Sequence, residues 1–330
     1  MLIFVLFFIS ICLKETTEND KQLKHRKAYS YYSIVQADGD KMGEYIQTYA
    51  DDLQGFSRKC VLYCLAASKL VDSYGGMTIY AGGDDLLFIA PVISTRDGET
   101  DLLTLLRQIK DLFMSGEFFG DKEIKPTVSF GAALCFYKHP LYEAFDEAYQ
   151  LLFYKAKKSR DALAVSLIKH SGQAVRFVID GFSCNPVTKS ICDFISMHSD
   201  EKFLKSISVH IWNFKALFAQ AIKAYYEHPV ETNITQIQNI FQNTFDSGAH
   251  KEDKNLAEIE QTRSLLMEIL IPAPKAEDKA LTRLHAILPD GQDEVKSEEI
   301  PLYALDAVLR YVKFYAETGE ESERNQDDTD

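Results

Sequence analysis

Two acidic motifs, Asp38-Gly39-Asp40 and Gly82-Gly83-Asp84-Asp85, each follow directly on a β-patterned run, with Asp84 46 positions after Asp38. Carboxylates at strand ends repel one another unless a cation lies between them. Two unit charges about 4 Å apart cost roughly 4 kcal/mol at an effective dielectric near 20. If the two turns meet in space, the natural occupant is a divalent ion with oxygen ligands. Mg²⁺ or Mn²⁺ held by a few carboxylates, with nucleotide phosphates completing the shell, is the usual arrangement. The expected chemistry is that of a palm-type nucleotidyl transferase or cyclase. In this reading Asp38, Asp84 and Asp85 are metal ligands and catalytic residues. Gly39 lets a backbone carbonyl approach the ion, Gly82 and Gly83 permit positive φ at a hairpin tip, and Asp40 supports the ligands or only closes its turn. Taken singly, each motif is equally a surface turn. A calcium loop is excluded, because Met42 and Tyr49 stand where that loop needs an oxygen ligand and a glutamate.

Downstream, Lys155, Lys157, Lys158 and Arg160 cluster at the end of an otherwise apolar helical pattern. Cations there favour a helix C-terminus in any protein; the functional alternative is that Lys157 reaches a triphosphate. Ser129-Phe130-Gly131-Ala132 supplies small residues where a base or ribose would approach the sheet. His139 and His170 have no partner spacing that suggests catalysis and are read as structural or surface residues.

The elements that must position these groups alternate through the first half. Strands are expected at 31–37, 77–81, 86–91, 127–137 and 163–168. Helices are expected at 57–74, with Ser57 as cap, and at 101–115 and 140–159. That order suits an α+β fold, a ferredoxin-like palm with an antiparallel sheet and helices on one face, as in nucleotide cyclases. After Asn185-Pro186 the spacing turns helical, at 186–198, 201–228, 234–245, 254–271 and 300–317, with a short helix expected at 279–288. The expected organisation is an apolar segment and polar linker at 1–27, a palm at 28–182, an all-α bundle at 183–317 and a disordered acidic tail at 318–330.

The chain has 330 residues, enough for two cores, and a net charge of −13, which argues against a basic free-standing nucleic-acid binder. Part of that charge is terminal: residues 317–330 hold seven acidic side chains against one arginine. Six cysteines without a C-x-x-C pair read as buried free thiols in a reducing cytoplasm. The apolar run 1–13 is shorter than the roughly 20 residues of a spanning helix and lacks a signal peptide's flanks, so no stable membrane association is expected.

Taken together, the residues resemble the GGDD-type CRISPR polymerase family, the large palm-containing subunit of type III effector complexes, with the Cmr-type (III-B) branch nearest. The resemblance rests on Gln36-Ala37-Asp38-Gly39-Asp40-Lys41-Met42-Gly43, Tyr80-Ala81-Gly82-Gly83-Asp84-Asp85-Leu86, Ser129-Phe130-Gly131-Ala132, Lys138-His139-Pro140-Leu141 and Ala156-Lys157. Diguanylate cyclases are more distant, because Asp85 and Leu86 stand where they carry Glu and Phe. The resemblance implies synthesis of cyclic oligoadenylates from ATP, switched on when guide RNA pairs with target RNA. It also implies the other Cmr-type subunits as partners, metals on Asp38, Asp84 and Asp85, and phosphate on Lys157. Full-length members place a His-Asp nuclease domain, a first palm and a cysteine zinc site before this palm. The sequence has no His-Asp dipeptide and no C-x-x-C. The expectation is therefore a C-terminal portion, split or truncated, whose first palm sits on a separate chain. The rival readings are a nucleotide-binding scaffold without turnover and a stand-alone cyclic dinucleotide synthase.

Overall fold

Strand β1 (Tyr31–Asp40) is apolar on both of its faces, and this decides how the sheet is covered. Tyr31, Val35 and Ala37 enter one core, while Tyr32 and Ile34 enter another. A strand buried on both sides needs cover on both. The computed structural model describes residues 26–94, 96, 99–197, 201–245, 253–270, 284–287 and 295–317. After β1 come β2 (Met77–Gly82), β3 (Asp85–Pro91), a two-residue ribbon of β4 (Ile93–Ser94) and β5 (Thr100–Asp101), then β6 (Thr127–Phe136), β7 (Ala162–Ile168), β8 (Ala174–Asp180) and β9 (Leu284–Ala286). The main sheet has seven strands in the order β2-β3-β1-β6-β7-β8-β9. Its first four strands pair antiparallel in the ferredoxin-like order, β6 and β7 pair parallel, and β7, β8 and β9 continue antiparallel.

Helices α1 (Met42–Gln47), α2 (Leu53–Tyr74) and α3 (Leu102–Phe113) lie on one face, joined to the core through Tyr45, Tyr63, Ala67, Val71, Leu106 and Phe113. Helix α4 (Leu141–Leu151) lies on the other, where Ala144 and Ala148 meet Tyr32, Ile34, Ala133 and Cys135. The expected α+β palm is present, but its sheet is covered on two faces where helices on one were expected. The doubly apolar β1 and β6 are the reason. Helix α2 starts at Leu53, ahead of the expected Ser57, because the Asp52 carboxylate accepts the Gly55 N–H and caps it earlier.

The second half is helical: α5 (Pro186–Ser196), α6 (Glu201–Asn213), α7 (Lys215–Glu227), α8 (Glu231–Phe245), α9 (Asp253–Leu270) and α10 (Ile300–Ala316). A strand interrupts it. Where the periodicity suggests a helix at 279–288, Leu284–Ala286 pairs with β8, whose edge would otherwise be open. Helix α10 is apolar almost all round and seats on the sheet, with Phe314 4.7 Å from Tyr31 and Tyr311 5.3 Å from Phe177 by ring centroids. The core of the α2–α3 face thus runs on into the helices without a break. The apolar run 1–13, the tail 318–330 and most of the connector before α10 lie outside the described residues. Among those described, no helix is long and apolar enough to cross a membrane.

Candidate metal and nucleotide site

Register brings the acidic motifs together. The last β1–β3 pair is Ala37 with Leu86, so Asp38 and Asp85 come next, side by side and on one face. Asp84 sits in the turn between β2 and β3, where Gly83 takes φ +70°. One carboxylate oxygen from each of Asp38, Asp84 and Asp85 lies within 4.8 Å of the others. Gly39 makes room for this approach: a Cβ there would stand 2.8 Å from the Asp84 Oδ2 and 2.7 Å from the Met42 Cγ. Gly82, expected to need positive φ, does not adopt it, and a Cβ there would meet only the movable Tyr80 ring and hydroxyl.

The electrostatics are those of an anion cluster that Lys157 neutralises only in part. Burial, with the Asp85 and Asp38 charges adding to it and Lys157 opposing, pushes the Asp84 carboxyl up to about 6. Burial and the Asp38 charge raise Asp85 in the same direction. The donor set is three hard carboxylate oxygens, which suits Mg²⁺ or Mn²⁺, and the unrelieved repulsion is what a bound cation would remove. A proton on Asp84 competes with that cation. Mn²⁺ affinity is therefore expected to fall as pH drops through about 6 and to level off above 7, as electron paramagnetic resonance titration would show. A flat profile from pH 5 to 7 would remove Asp84 from the ligand set. Gly39→Ala is expected to weaken Mn²⁺ binding about 10–100-fold in the same titration, the usual penalty for disturbing a ligand's support.

Lys157 stands beside the triad. Its amine pairs with Asp38 Oδ2 and donates to Asp40 Oδ1 and the carbonyls of Asp38 and Gly39, each at 2.9 Å. It is placed there by an irregular helix: α4 passes into a π turn, Leu152–Ala156, before a last helical turn, Lys157–Ser159. Asp40 lies outside the triad. Its carboxylate is buried, and its Oδ2 accepts from Thr127 Oγ1, Ser129 Oγ and the Asp161 N–H at 2.8–2.9 Å. Asp40 is a counter-ion that holds Lys157.

The expectation for Ser129 needs correction. Its side chain is fully buried and spent on Asp40, so it offers nothing to a nucleotide. Gly131 is covered as well: a Cβ there would meet the Ala148 carbonyl oxygen at 2.4 Å and the Leu152 nitrogen at 2.5 Å. The small residues of β6 admit helix α4, and the base or ribose expected there has no room. Sequence reasoning missed Thr127, Asp161 and Ser183, which complete the Asp40 network. No pattern marks them, since each lies far from Asp40 along the chain. His139 approaches Glu143 at 3.7 Å and His170 meets Phe136 edge to face, both as structural residues.

A ferredoxin-like sheet whose first strand and central hairpin converge three carboxylates, with a lysine beside them, defines a palm domain of the nucleotide-cyclase type. Residues 31–164 match the family model described as Cas10/Cmr2, second palm domain. A curated relative, the CRISPR system Cmr subunit Cmr2 of Pyrococcus furiosus, is 40% identical over 101 residues, covering 29% of this chain and 11% of the relative. Among solved structures, a Csm1-Csm4 cassette in complex with cA4 aligns at TM-score 0.45 and 14% identity, over 87% of this chain and 36% of that one. The apo state of a type III-B Cmr-beta complex aligns at TM-score 0.43 and 12% identity, over 88% and 39%. The chain thus spans little more than a third of these structures and matches about a tenth of the curated relative.

Proposed function

We propose that this chain contributes the catalytic palm of the large subunit of a type III-B CRISPR ribonucleoprotein and makes cyclic oligoadenylates from ATP. The observation that carries the reading is the convergence of Asp38, Asp84 and Asp85 in a Cas10/Cmr2 second palm, with Lys157 alongside. Mg²⁺ or Mn²⁺ on the three carboxylates would supply acidification of a 3′-hydroxyl and neutralisation of the leaving pyrophosphate. The reaction joins that 3′-oxygen to an ATP α-phosphate, releases pyrophosphate, and after repetition closes the chain on itself. Lys157 adds a cation where the phosphates arrive, and Asp40 holds its amine in place. Gly39 keeps bulk away from the carboxylates, and Gly83 supplies the positive φ of the hairpin turn that carries Asp84. The partners in this reading are the other Cmr-type subunits, guide RNA, target RNA and a chain carrying a first palm that completes a second ATP site. The setting is the cytoplasm.

The test incubates the chain, alone and with those partners, with ATP and Mg²⁺, and reads products by mass spectrometry. Cyclic adenylates that depend on target RNA support the proposal. An intact assembly that binds ATP and forms no adenylate product would instead establish a scaffold, and a cyclic dinucleotide from the isolated chain would establish a stand-alone synthase.

A further inference from the structure

Two successive non-glycine residues, Arg160 and Asp161, hold positive φ, at 60° and 44°. Arg160 combines this with ψ 166°, a region that only glycine enters freely. Such a conformation persists only where its surroundings impose it, and here the restraint is visible. The Asp161 carboxylate accepts the Ser183 N–H at 3.0 Å and the Ser183 hydroxyl, while its carbonyl accepts the Phe182 N–H at 2.6 Å. Ser183 is itself fixed, its carbonyl accepting from Lys110 of α3 at 3.2 Å. Two residues on, Asn185 caps α5 and donates to the Asp180 carbonyl at 2.7 Å, so the clamp sits where the sheet hands over to the helices.

The strained turn has one product at the site. It aims the Asp161 N–H at Asp40 Oδ2, the oxygen opposite the one that holds Lys157. We propose that Ser183 and Asp161 form a latch that keeps the 160–161 turn in its strained form and thereby positions Lys157 at the carboxylate triad. Ser183 and Asp161 are positioning residues, since neither reaches the triad. The inference rests on the reading of the triad and Lys157 as the metal–nucleotide site. It adds a route by which the seating of α5, and with it the helical half, bears on that site.

The experiment is amine footprinting of the full chain with an acetylating reagent, read residue by residue by mass spectrometry beside a thermal melt. In the parent, Lys157 is expected to be protected relative to the exposed Lys155 and Lys158. Ser183→Ala is expected to abolish that protection, so that Lys157 labels as fast as its neighbours, while Ser183→Thr, which keeps the hydroxyl, retains it. In the double variant Ser183→Ala/Arg160→Gly, protection is expected to return, because glycine holds the turn without the latch. Parent-like labelling in Ser183→Ala, or no recovery in the double variant, overturns the proposal. Should Ser183→Ala not fold, Asp161→Ala, which removes the carboxylate that accepts from Ser183, carries the test: faster labelling at Lys157 supports the latch and parent-like labelling overturns it. A parallel Mn²⁺-ATP titration keeps the two ideas apart. No binding by the parent defeats the nucleotide reading, while the footprint still decides the latch.

Discussion

Asp84→Ala/Asp85→Ala is expected to abolish Mg²⁺-dependent adenylate formation while leaving the metal-free protein at least as stable as its parent. The activity loss should reach about 10³-fold or more, since losing one preorganised electrostatic donor already costs 10²–10³. The stability sign follows from the charges. Asp84 titrates near 6, above its ordinary 3.8, because burial and the neighbouring carboxylates disfavour its ionised form. A group with a raised native pKa contributes stability that is fully present below the unfolded value and is lost as pH rises through the native one. At neutral pH the ionised Asp84 is therefore a burden on the metal-free fold, and its removal relieves it. The checks are product analysis in the assembled complex and a thermal melt of the isolated chain without metal. Undiminished product from the double variant would end the catalytic reading. Lost product with a clearly lowered melting temperature would mean that the pair serves the fold.

Gly131→Ala carries the largest expected stability effect. The added methyl would meet backbone atoms of α4, the Ala148 oxygen at 2.4 Å and the Leu152 nitrogen at 2.5 Å. Backbone cannot rotate away as a side chain does, so the cost should lie near the upper end of overpacking penalties, about 3 kcal/mol. The displaced segment is the start of the π turn that delivers Lys157. Denaturant unfolding should show the loss, and nucleotide affinity should fall with it. Unchanged stability would mean that α4 seats less closely on β6 than the structure shows.

Much of this was legible in the residues. The triad lies in two short segments whose glycines and β-patterned flanks are local signals. The succession of helices after Asn185 shows in the 3.6-residue spacing. The exceptions are instructive. Ser129 and Gly131 look like an opening for a ligand, because small residues in a strand announce close approach without saying by what. Helix α4 is what approaches. Lys157 looks like a phosphate ligand or a cap, and its ties to Asp40 become visible only in three dimensions.

The division follows from range. The amino-acid sequence by itself determined the palm order of strands and helices, the three carboxylates and the glycines that let them meet, because each depends on neighbours a few residues away. Only the tertiary structure decided that Asp40 is a buried counter-ion and that β9 closes the sheet's edge. It also decided that a strained turn is held by Ser183. These depend on contacts such as Lys157 with Asp40 and Asp161 with Asp40, 117 and 121 residues apart. A buried charge takes whatever donors the fold brings to it, and no local pattern says which those will be.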